Sequence, residues 1–429
     1  MRTLIAFGLS AAALPSSPPA PQRLLTGLWD ATVTVNDVEI PFRMEIAGQG
    51  ANLKGSFFNG DEKVTSTRGR VAGDALVLEF DDYATRLEAS WKDDRLEGRY
   101  DRGPRGFYSF HAKRFAPASV SESAGVPSIA GLWRVPVHSS KGESAWQLVV
   151  RQSGPEVSAA ILRVDGDTGT LTGTYRNGSF TLSHFSGARP SLFEVTPQPD
   201  GTLTIVQKAL STKPTVNPKT GRVTPSDSVS PDGRKTYTAV RSDDPRAANL
   251  PEPSDPTRFT SVKDPTEPLR FSFPDLQGRL VSNTDSRFRG KVVMVNITGS
   301  WCPNCHDEAP FLAELYRTYR ARGLEVVALT FEEAEQLESL PRLHAFIERY
   351  RIAYPVLVAG TPDDLSEKLP QATNLTSFPT TFFIGRDGLV RGAHAGFPGK
   401  ASGSFHIEAK REITNRVEQL LAERIQGSR

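Results

Sequence analysis

The stretch Gly299-Ser300-Trp301-Cys302-Pro303-Asn304-Cys305-His306-Asp307-Glu308 decides how the last third of this 429-residue chain folds. It contains both cysteines of the chain, separated by two residues. A dithiol at this spacing can close a small disulfide and reopen it. The apolar run 291–297 before it predicts a buried strand, and the apolar periodicity of 302–322 predicts a helix. A Cys-X-X-Cys pair at a strand-to-helix turn indicates a redox centre and not a structural brace.

Metal binding is the main alternative for the two thiols. A structural zinc site needs four ligands, and the chain offers no second Cys pair and only scattered histidines. His394, in the strand after the Asp387-Gly388 turn, would allow a copper chaperone, because thiolates and imidazole both suit copper. A surface position is the simpler interpretation of His394. We therefore predict no metal and no cofactor other than a redox-active Cys302–Cys305 disulfide.

His306 has two possible interpretations. It could add positive charge beside Cys305 and so favour the thiolate. A residue at this point of the helix is more often solvent-facing, which is the simpler expectation.

Length and composition exclude several classes of protein. A chain of 429 residues is long enough for about three domains. Its 51 basic and 49 acidic residues give a net charge of only +2, which argues against a nucleic-acid partner. The 35 glycines and 32 prolines favour turns and linkers over long helices.

Residues 1–20 are typical of a secretory signal peptide. Arg2 precedes an apolar stretch over 4–14, and a Pro/Ser-rich segment follows. The apolar stretch is too short to span a bilayer, and no later segment is continuous enough, so we expect no stable membrane span. Without a cysteine after the apolar stretch, a lipoprotein anchor is excluded. We expect export to the bacterial periplasm or cell envelope, where disulfides form.

Two β-rich modules are predicted before the dithiol region. Residues 24–115 and 129–242 both show short strands with alternating polarity and no helical period, which is typical of antiparallel barrels or sandwiches. Both modules contain a Gly-Leu-Trp sequence near their start, ending at Trp29 and at Trp133. We interpret the second module as a diverged duplicate of the first, with each tryptophan in a core. A proline-rich linker is predicted over 243–268.

Over residues 269–425 the sequence pattern predicts alternating helices and strands. A hairpin, a β-α-β unit, a second hairpin and a last helix follow one another. This region resembles the thioredoxin-like family, specifically the exported TlpA/ResA branch of thiol-disulfide oxidoreductases. The resemblance is carried by 271–278, 290–296, Trp301-Cys302-Pro303-Asn304-Cys305 and Phe378-Pro379-Thr380-Thr381. The expected fold class is therefore multidomain, with two antiparallel all-β modules followed by an α/β thioredoxin-like domain.

The resemblance implies a role for each motif residue. Cys302 is expected to be the exposed nucleophilic thiol and Cys305 its buried resolving partner. The start of the helix favours thiolate through its unpaired N–H groups. Glu308 is expected to tune thiol acidity, and Pro379 to be a cis-proline beside which a substrate chain docks. Five residues are expected to support these groups: Trp301, Pro303, Asn304, Asn296 and Phe378.

The expected activity is thiol-disulfide exchange with protein thiols and disulfides, as a reductant supplied by an electron donor of the envelope. One alternative is a peroxiredoxin-like antioxidant, although peroxidatic sites carry threonine where this chain has Gly299. Another is a binding protein or metallochaperone whose β modules do the work and whose thioredoxin-like domain is redox-sensitive.

Overall fold

The structure, a computed structural model, describes residues 25–116, 125–208, 215–216, 223–224 and 234–423. The expected signal peptide at 1–20 lies outside the described residues. The described residues form two β modules and a C-terminal α/β domain, which confirms the fold class predicted from the sequence. Among the described residues no helix is both long enough and apolar enough to cross a membrane.

The first β module is a half-barrel of nine antiparallel strands. Alternate residues of each strand point into one core, as in the first strand, where Trp29, Ala31 and Val33 are buried. The strand order in the sheet is β4-β3-β2-β1-β9-β8-β7-β6-β5. The strands are β1 Gly27–Val35, β2 Val38–Ala47, β3 Lys54–Asn59, β4 Glu62–Thr65, β5 Arg68–Ala72, β6 Ala75–Phe80, β7 Thr85–Lys92, β8 Arg95–Asp101 and β9 Phe107–Arg114.

The second β module is a closed barrel. Its sheet runs in the order β11-β10-β20-β17-β16-β15-β14-β12-β13, and an added pairing of β11 with β12 closes all of these strands except β13 into an eight-stranded ring. Closure leaves the barrel strands without free edges. The strands are β10 Gly131–Pro136, β11 Ala145–Ser153, β12 Glu156–Arg163, β13 Gly166–Asp167, β14 Leu171–Arg176, β15 Ser179–His184, β16 Ser191–Pro197, β17 Leu203–Lys208, β18 Thr215–Val216, β19 Val223–Thr224 and β20 Arg234–Arg241.

The repeated Gly-Leu-Trp sequence occupies equivalent positions in the two modules. The indole N–H of Trp29 donates to the carbonyl of Leu25 (3.0 Å), and that of Trp133 donates to Ile129 (2.9 Å). An arginine guanidinium lies over each indole, 4.2 Å from the ring centre in the first module and 4.5 Å in the second. Both tryptophans are fully buried, as the sequence indicated. The repeated contacts support the interpretation of a duplicated module.

The two modules are interlocked. Phe185 and Leu192 of the second module belong to the hydrophobic core of the first. The ring of Phe185 lies 4.8 Å from that of Phe42 and 5.1 Å from that of Tyr100, measured between centroids. The second module therefore contributes side chains to the core of the half-barrel, and the two modules share that core.

The C-terminal domain has the thioredoxin-like arrangement. Its central sheet has the order β26-β25-β24-β28-β29, parallel across β24–β25–β26 and antiparallel across β24–β28–β29. Every residue of β24 is buried, because alternate side chains enter the cores on the two faces of the sheet. The strands are β21 Ser261–Val262, β22 Ser272–Pro274, β23 Leu280–Ser282, β24 Val292–Thr298, β25 Leu324–Phe331, β26 Val356–Gly360, β27 Ala372–Thr373, β28 Thr380–Ile384 and β29 Val390–Ala395, and the helices are α1 Pro256–Phe259, α2 Pro303–Tyr319, α3 Pro341–Tyr350, α4 Leu365–Lys368 and α5 Ser404–Ala422.

Candidate active site

The two cysteines lie where the central strand β24 gives way to helix α2. Cys302 is the N-cap of the helix, and Pro303 takes the first helical position, where its missing N–H is harmless. The carbonyl of Cys302 accepts hydrogen bonds from the backbone N–H groups of Cys305 (3.0 Å) and His306 (3.2 Å). Both cysteines are free thiols in the structure. The backbone thus presents the two sulfurs at the positive end of the helix.

The thiol of Cys302 is covered, which corrects the expectation of an exposed nucleophile. Cys302 is 0% exposed. The Sγ atom donates to the carbonyl oxygen of Phe378 at 3.3 Å, and an Nη atom of Arg189 donates to the same Sγ at 3.7 Å. Arg189 belongs to the second β module, so the cover comes from a part of the chain that a single thioredoxin-like domain lacks.

The second β module lies directly against the Cys-X-X-Cys turn. The side-chain amide of Asn304 donates to the carbonyl of Asp165 at 2.5 Å. Gly166 forms a parallel bridge with Phe397. A Cβ atom on Gly166 would lie 2.4 Å from the Phe397 carbonyl oxygen and 2.5 Å from the Asn304 amide, and its φ is +122°. Only glycine permits this close approach of the module to the turn.

The first β module covers the other side of the turn. The ring of Tyr83 stacks on His306 with centroids 4.5 Å apart, and Asp82 forms an ion pair with Arg349 of helix α3. His306 is 6% exposed, so the expectation of a solvent-facing residue was wrong. Burial lowers the pKa of His306 to about 3, which leaves the ring neutral at pH 7. His306 therefore adds no positive charge to the thiols.

The loop before β28 forms the wall beside Cys302. The peptide bond between Phe378 and Pro379 is cis. The indole of Trp301 donates to the carbonyl of Phe331 at 2.8 Å and packs edge-to-face on Phe378, with ring centres 5.2 Å apart. These contacts hold Trp301 against Phe378, whose carbonyl accepts from the Cys302 sulfur.

Glu308 is a buried acid behind the cysteines. The side-chain amide of Asn296 donates to one of its carboxylate oxygens at 2.8 Å, and the hydroxyl of Thr381 donates to the other at 3.3 Å. Burial raises the pKa of Glu308 to about 8, against the lowering effect of these two hydrogen bonds. Its carboxyl group is thus poised to take up or release a proton near neutral pH.

A small cavity connects Glu308 with the resolving cysteine. Its volume is about 10 Å³, and its lining includes Cys305, Glu308, Asn296 and Thr298. A cavity of this size has room for roughly one water molecule. Cys305 and Glu308 therefore face the same small space.

The two thiols differ in acidity. Burial raises the pKa of Cys302, but the hydrogen bond from Cys305 and the charge of Arg189 outweigh it, so the pKa lies below its ordinary value. Burial and the neighbouring Cys302 raise the pKa of Cys305 well above its ordinary value. Cys302 is therefore the group that ionises first, as expected for the attacking thiol.

Sequence reasoning missed the polar cluster that holds the turn. Ser300 donates to Glu332 through its backbone N–H (2.8 Å) and its hydroxyl (2.5 Å). Arg342 pairs with Glu332 at 3.1 Å, and both side chains are 0% exposed. Arg342 also donates to the Ser300 hydroxyl at 2.9 Å. Nothing local in the sequence marks these three residues as partners, since 42 positions separate Ser300 from Arg342.

His394 does not lie on the surface, which corrects the simpler interpretation of this residue. It is buried in β29, and its Nδ1 contacts the carbonyl of Gly396 at 3.0 Å. Its other ring nitrogen lies 3.8 Å from a carboxylate oxygen of Glu412.

Residues 266–393 match the AhpC/TSA family. The thiol-disulfide oxidoreductase ResA of Geobacillus thermodenitrificans (strain NG80-2) is 32% identical over 137 residues, which cover 32% of this chain and 71% of the relative. ResA of Geobacillus kaustophilus (strain HTA426) is also 32% identical, over 29% of this chain and 66% of its own length. ResA of Bacillus subtilis (strain 168) is 29% identical, over 27% of this chain and 58% of its own length.

Among solved structures, a thiol:disulfide interchange protein of the thioredoxin family from Chlorobium tepidum TLS is similar. It is 26% identical and aligns with 38% of this chain and 100% of its own, with a TM-score of 0.30. The family match lies in the C-terminal part of the chain.

Proposed function

We propose that this chain reduces protein disulfides in the cell envelope. Through its C-terminal domain it belongs to the ResA-like thiol-disulfide oxidoreductases. The observation that carries the proposal is the setting of Cys302. Its Sγ lies at a helix N-terminus, 3.3 Å from the carbonyl of Phe378 and next to cis-Pro379. A substrate chain that pairs with this loop would bring its disulfide to the sulfur.

The exchange proceeds in two displacement steps. The Cys302 thiolate attacks one sulfur of the substrate disulfide, forming a mixed disulfide and releasing the other sulfur as a thiolate, which takes up a proton. Where Glu308 is ionised, Cys305 loses its proton to this carboxylate, with which it shares a cavity, and the resulting thiolate attacks Cys302 Sγ. The mixed disulfide breaks, and the second substrate sulfur leaves as a thiolate that takes up a proton. The substrate leaves as a dithiol, reduced by two electrons, and the Cys302–Cys305 pair is oxidised to a disulfide.

The proposed direction is reduction of the substrate. Burial raises the pKa of Cys305, so this thiol gains little from ionisation in the reduced state, whereas the lowered pKa of Cys302 acts in the opposite direction. A dithiol whose reduced form gains little from ionisation gives up its electrons more readily. An electron donor of the envelope would return the pair to the dithiol, and residues 1–20 would direct export.

Access to Cys302 requires a displacement of the β modules. The sulfur is covered by Arg189, and the turn beside it is occupied by Asp165 and Tyr83. A substrate chain therefore has to replace these contacts before exchange.

Insulin reduction by the full-length chain tests the proposal. The wild type should reduce insulin, and Cys302→Ser should fall to the background rate, because the attacking sulfur is gone. Cys305→Ser keeps the attacking sulfur, so it should instead accumulate the mixed disulfide. A wild type without disulfide reduction, or a Cys302→Ser variant as active as the wild type, would refute the proposal.

Reduction of a hydroperoxide is the second candidate, favoured by the burial of Cys302. A peroxide is small enough to reach a sulfur that a protein chain reaches only after the modules move. Cys302 thiolate would take one oxygen, releasing an alcohol, and Cys305 would then form the disulfide with loss of water or hydroxide. Peroxide consumption without insulin reduction would favour this candidate.

A further inference from the structure

Arg189 brings a positive charge from the second β module to the reacting sulfur. It lies in the loop between β15 and β16, 113 positions before Cys302, and an Nη atom lies 3.7 Å from Cys302 Sγ. The sulfur has the carbonyl of Phe378 on another side at 3.3 Å. The thiol form can donate to Phe378, and the thiolate form can accept from Arg189. The two contacts thus suit the two protonation states of one sulfur.

The loop that carries Arg189 is fixed at several points. Phe185 is buried in the core of the first β module, and the hydroxyl of Tyr100 donates to the carbonyl of Gly187 at 3.0 Å. Arg189 itself has a φ of +49°, in the left-handed region, and precedes Pro190. A non-glycine residue keeps such a backbone only where its surroundings hold it there. Both modules therefore cooperate in aiming the guanidinium.

The acidic groups around Cys302 act in the opposite sense to Arg189. Asp165 opposes the lowering of the Cys302 pKa, and burial, with a smaller effect of the Cys302 charge, raises the pKa of Asp307 and of Glu308. His306 is neutral at pH 7 and offers no compensation. Asp165 is also paired with Lys141 at 2.5 Å, whereas Arg189 is the cation in contact with the Cys302 sulfur.

We propose that Arg189 is a catalytic residue of the dithiol centre, contributed by the β module as the counter-ion of the Cys302 thiolate. The proposal rests on the proposed function, since it assigns a role within the same exchange reaction. The active site is then shared between two domains. When Cys302 forms the mixed disulfide with a substrate, its negative charge passes to the leaving sulfur, and Arg189 is released from its partner. The contact therefore stabilises the reduced state relative to the disulfide.

Carbon NMR of protein labelled at cysteine Cβ tests the assignment, because it follows the ionisation of Cys302 apart from that of Cys305. In full-length Arg189→Met, the thiolate-to-thiol ratio of Cys302 at a fixed pH should fall about tenfold, the lower end of what a charge-assisted hydrogen bond contributes. The midpoint potential in a glutathione buffer should fall with it, by about 30 mV for a tenfold change. Arg176→Met, on an exposed arginine of the same module, is the matched control and should leave both values unchanged.

Two further variants separate charge from packing. Arg189→Lys keeps the positive charge and should restore most of the thiolate, whereas a lysine variant that behaves like Arg189→Met overturns the proposal. Asp165→Asn removes a negative charge without removing Arg189, so it should increase the thiolate ratio, opposite to Arg189→Met. An unchanged titration in Arg189→Met, with insulin reduction intact, also overturns the role of Arg189 and leaves the proposed function standing. If the Cys302 titration shifts in Arg189→Met but the wild type reduces no disulfide, the proposed function is refuted and the role of Arg189 as counter-ion of the thiolate is supported.

Discussion

Replacing Glu308 by glutamine should remove a pH-dependent loss of stability from the C-terminal domain. Burial raises the pKa of Glu308 to about 8 from an ordinary value of 4.5. The folded state therefore keeps this proton over a pH range in which the unfolded state releases it. By proton linkage, the stabilisation of the folded state by the proton on Glu308 is fully present below pH 4.5 and is lost as pH rises through about 8.

The magnitude follows from the two pKa values. Each pKa unit corresponds to roughly 1.4 kcal/mol, so the whole effect is about 5 kcal/mol for a shift to about 8. Between about pH 6 and about pH 9 the unfolding free energy of the wild type should fall by ~2.5 kcal/mol because of this one group. Glutamine cannot ionise, and it can still accept from Asn296, so the variant should lack that part of the decline.

Guanidinium titrations of the reduced protein at both pH values, read by hydrogen exchange of strand β24, measure the difference. Exchange reports the local unfolding free energy of the domain even if the β modules unfold separately. Glu314→Gln, on an exposed glutamate of the same helix, is the control and should follow the wild type. A gap between Glu308→Gln and wild type that does not change with pH would falsify the burial argument.

Two other substitutions test contacts that hold the site. Arg342→Met should destabilise the C-terminal domain by about 3–5 kcal/mol in denaturant titrations, because it leaves the buried Glu332 carboxylate without its cationic partner. The double variant Arg342→Met, Glu332→Gln should recover part of this loss. A double variant as unstable as Arg342→Met would contradict the argument. Asp82→Ala breaks the ion pair with Arg349 that fastens the first β module to helix α3, so alkylation of reduced Cys302 should be roughly 5- to 100-fold faster. An unchanged alkylation rate would show that this contact does not limit access to the sulfur.

The sequence alone determined the parts of the site that depend on local pattern. The apolar run of β24 marks a strand buried on both faces, and Pro303 beside the two cysteines marks the first turn of a helix. The spacing of the cysteines fixed the dithiol, because two residues of one helical turn cannot lie far apart. The Gly-Leu-Trp sequence near the start of each β module predicted a repeated module, and in the structure each indole donates to the carbonyl four positions before it.

Only the tertiary structure decided what surrounds the sulfur. The cover over Cys302 comes from Arg189, 113 positions away, and no periodicity or motif connects residues across such a distance. His306 was expected in solvent because a single helix shows that face to water, but Tyr83 of the first module stacks on it. The acidity of Cys302 and Glu308 depends on the same packing, since burial and neighbouring charge set a pKa. The Cys-X-X-Cys turn predicts the chemistry, and the docking of the β modules determines when and how strongly it can act.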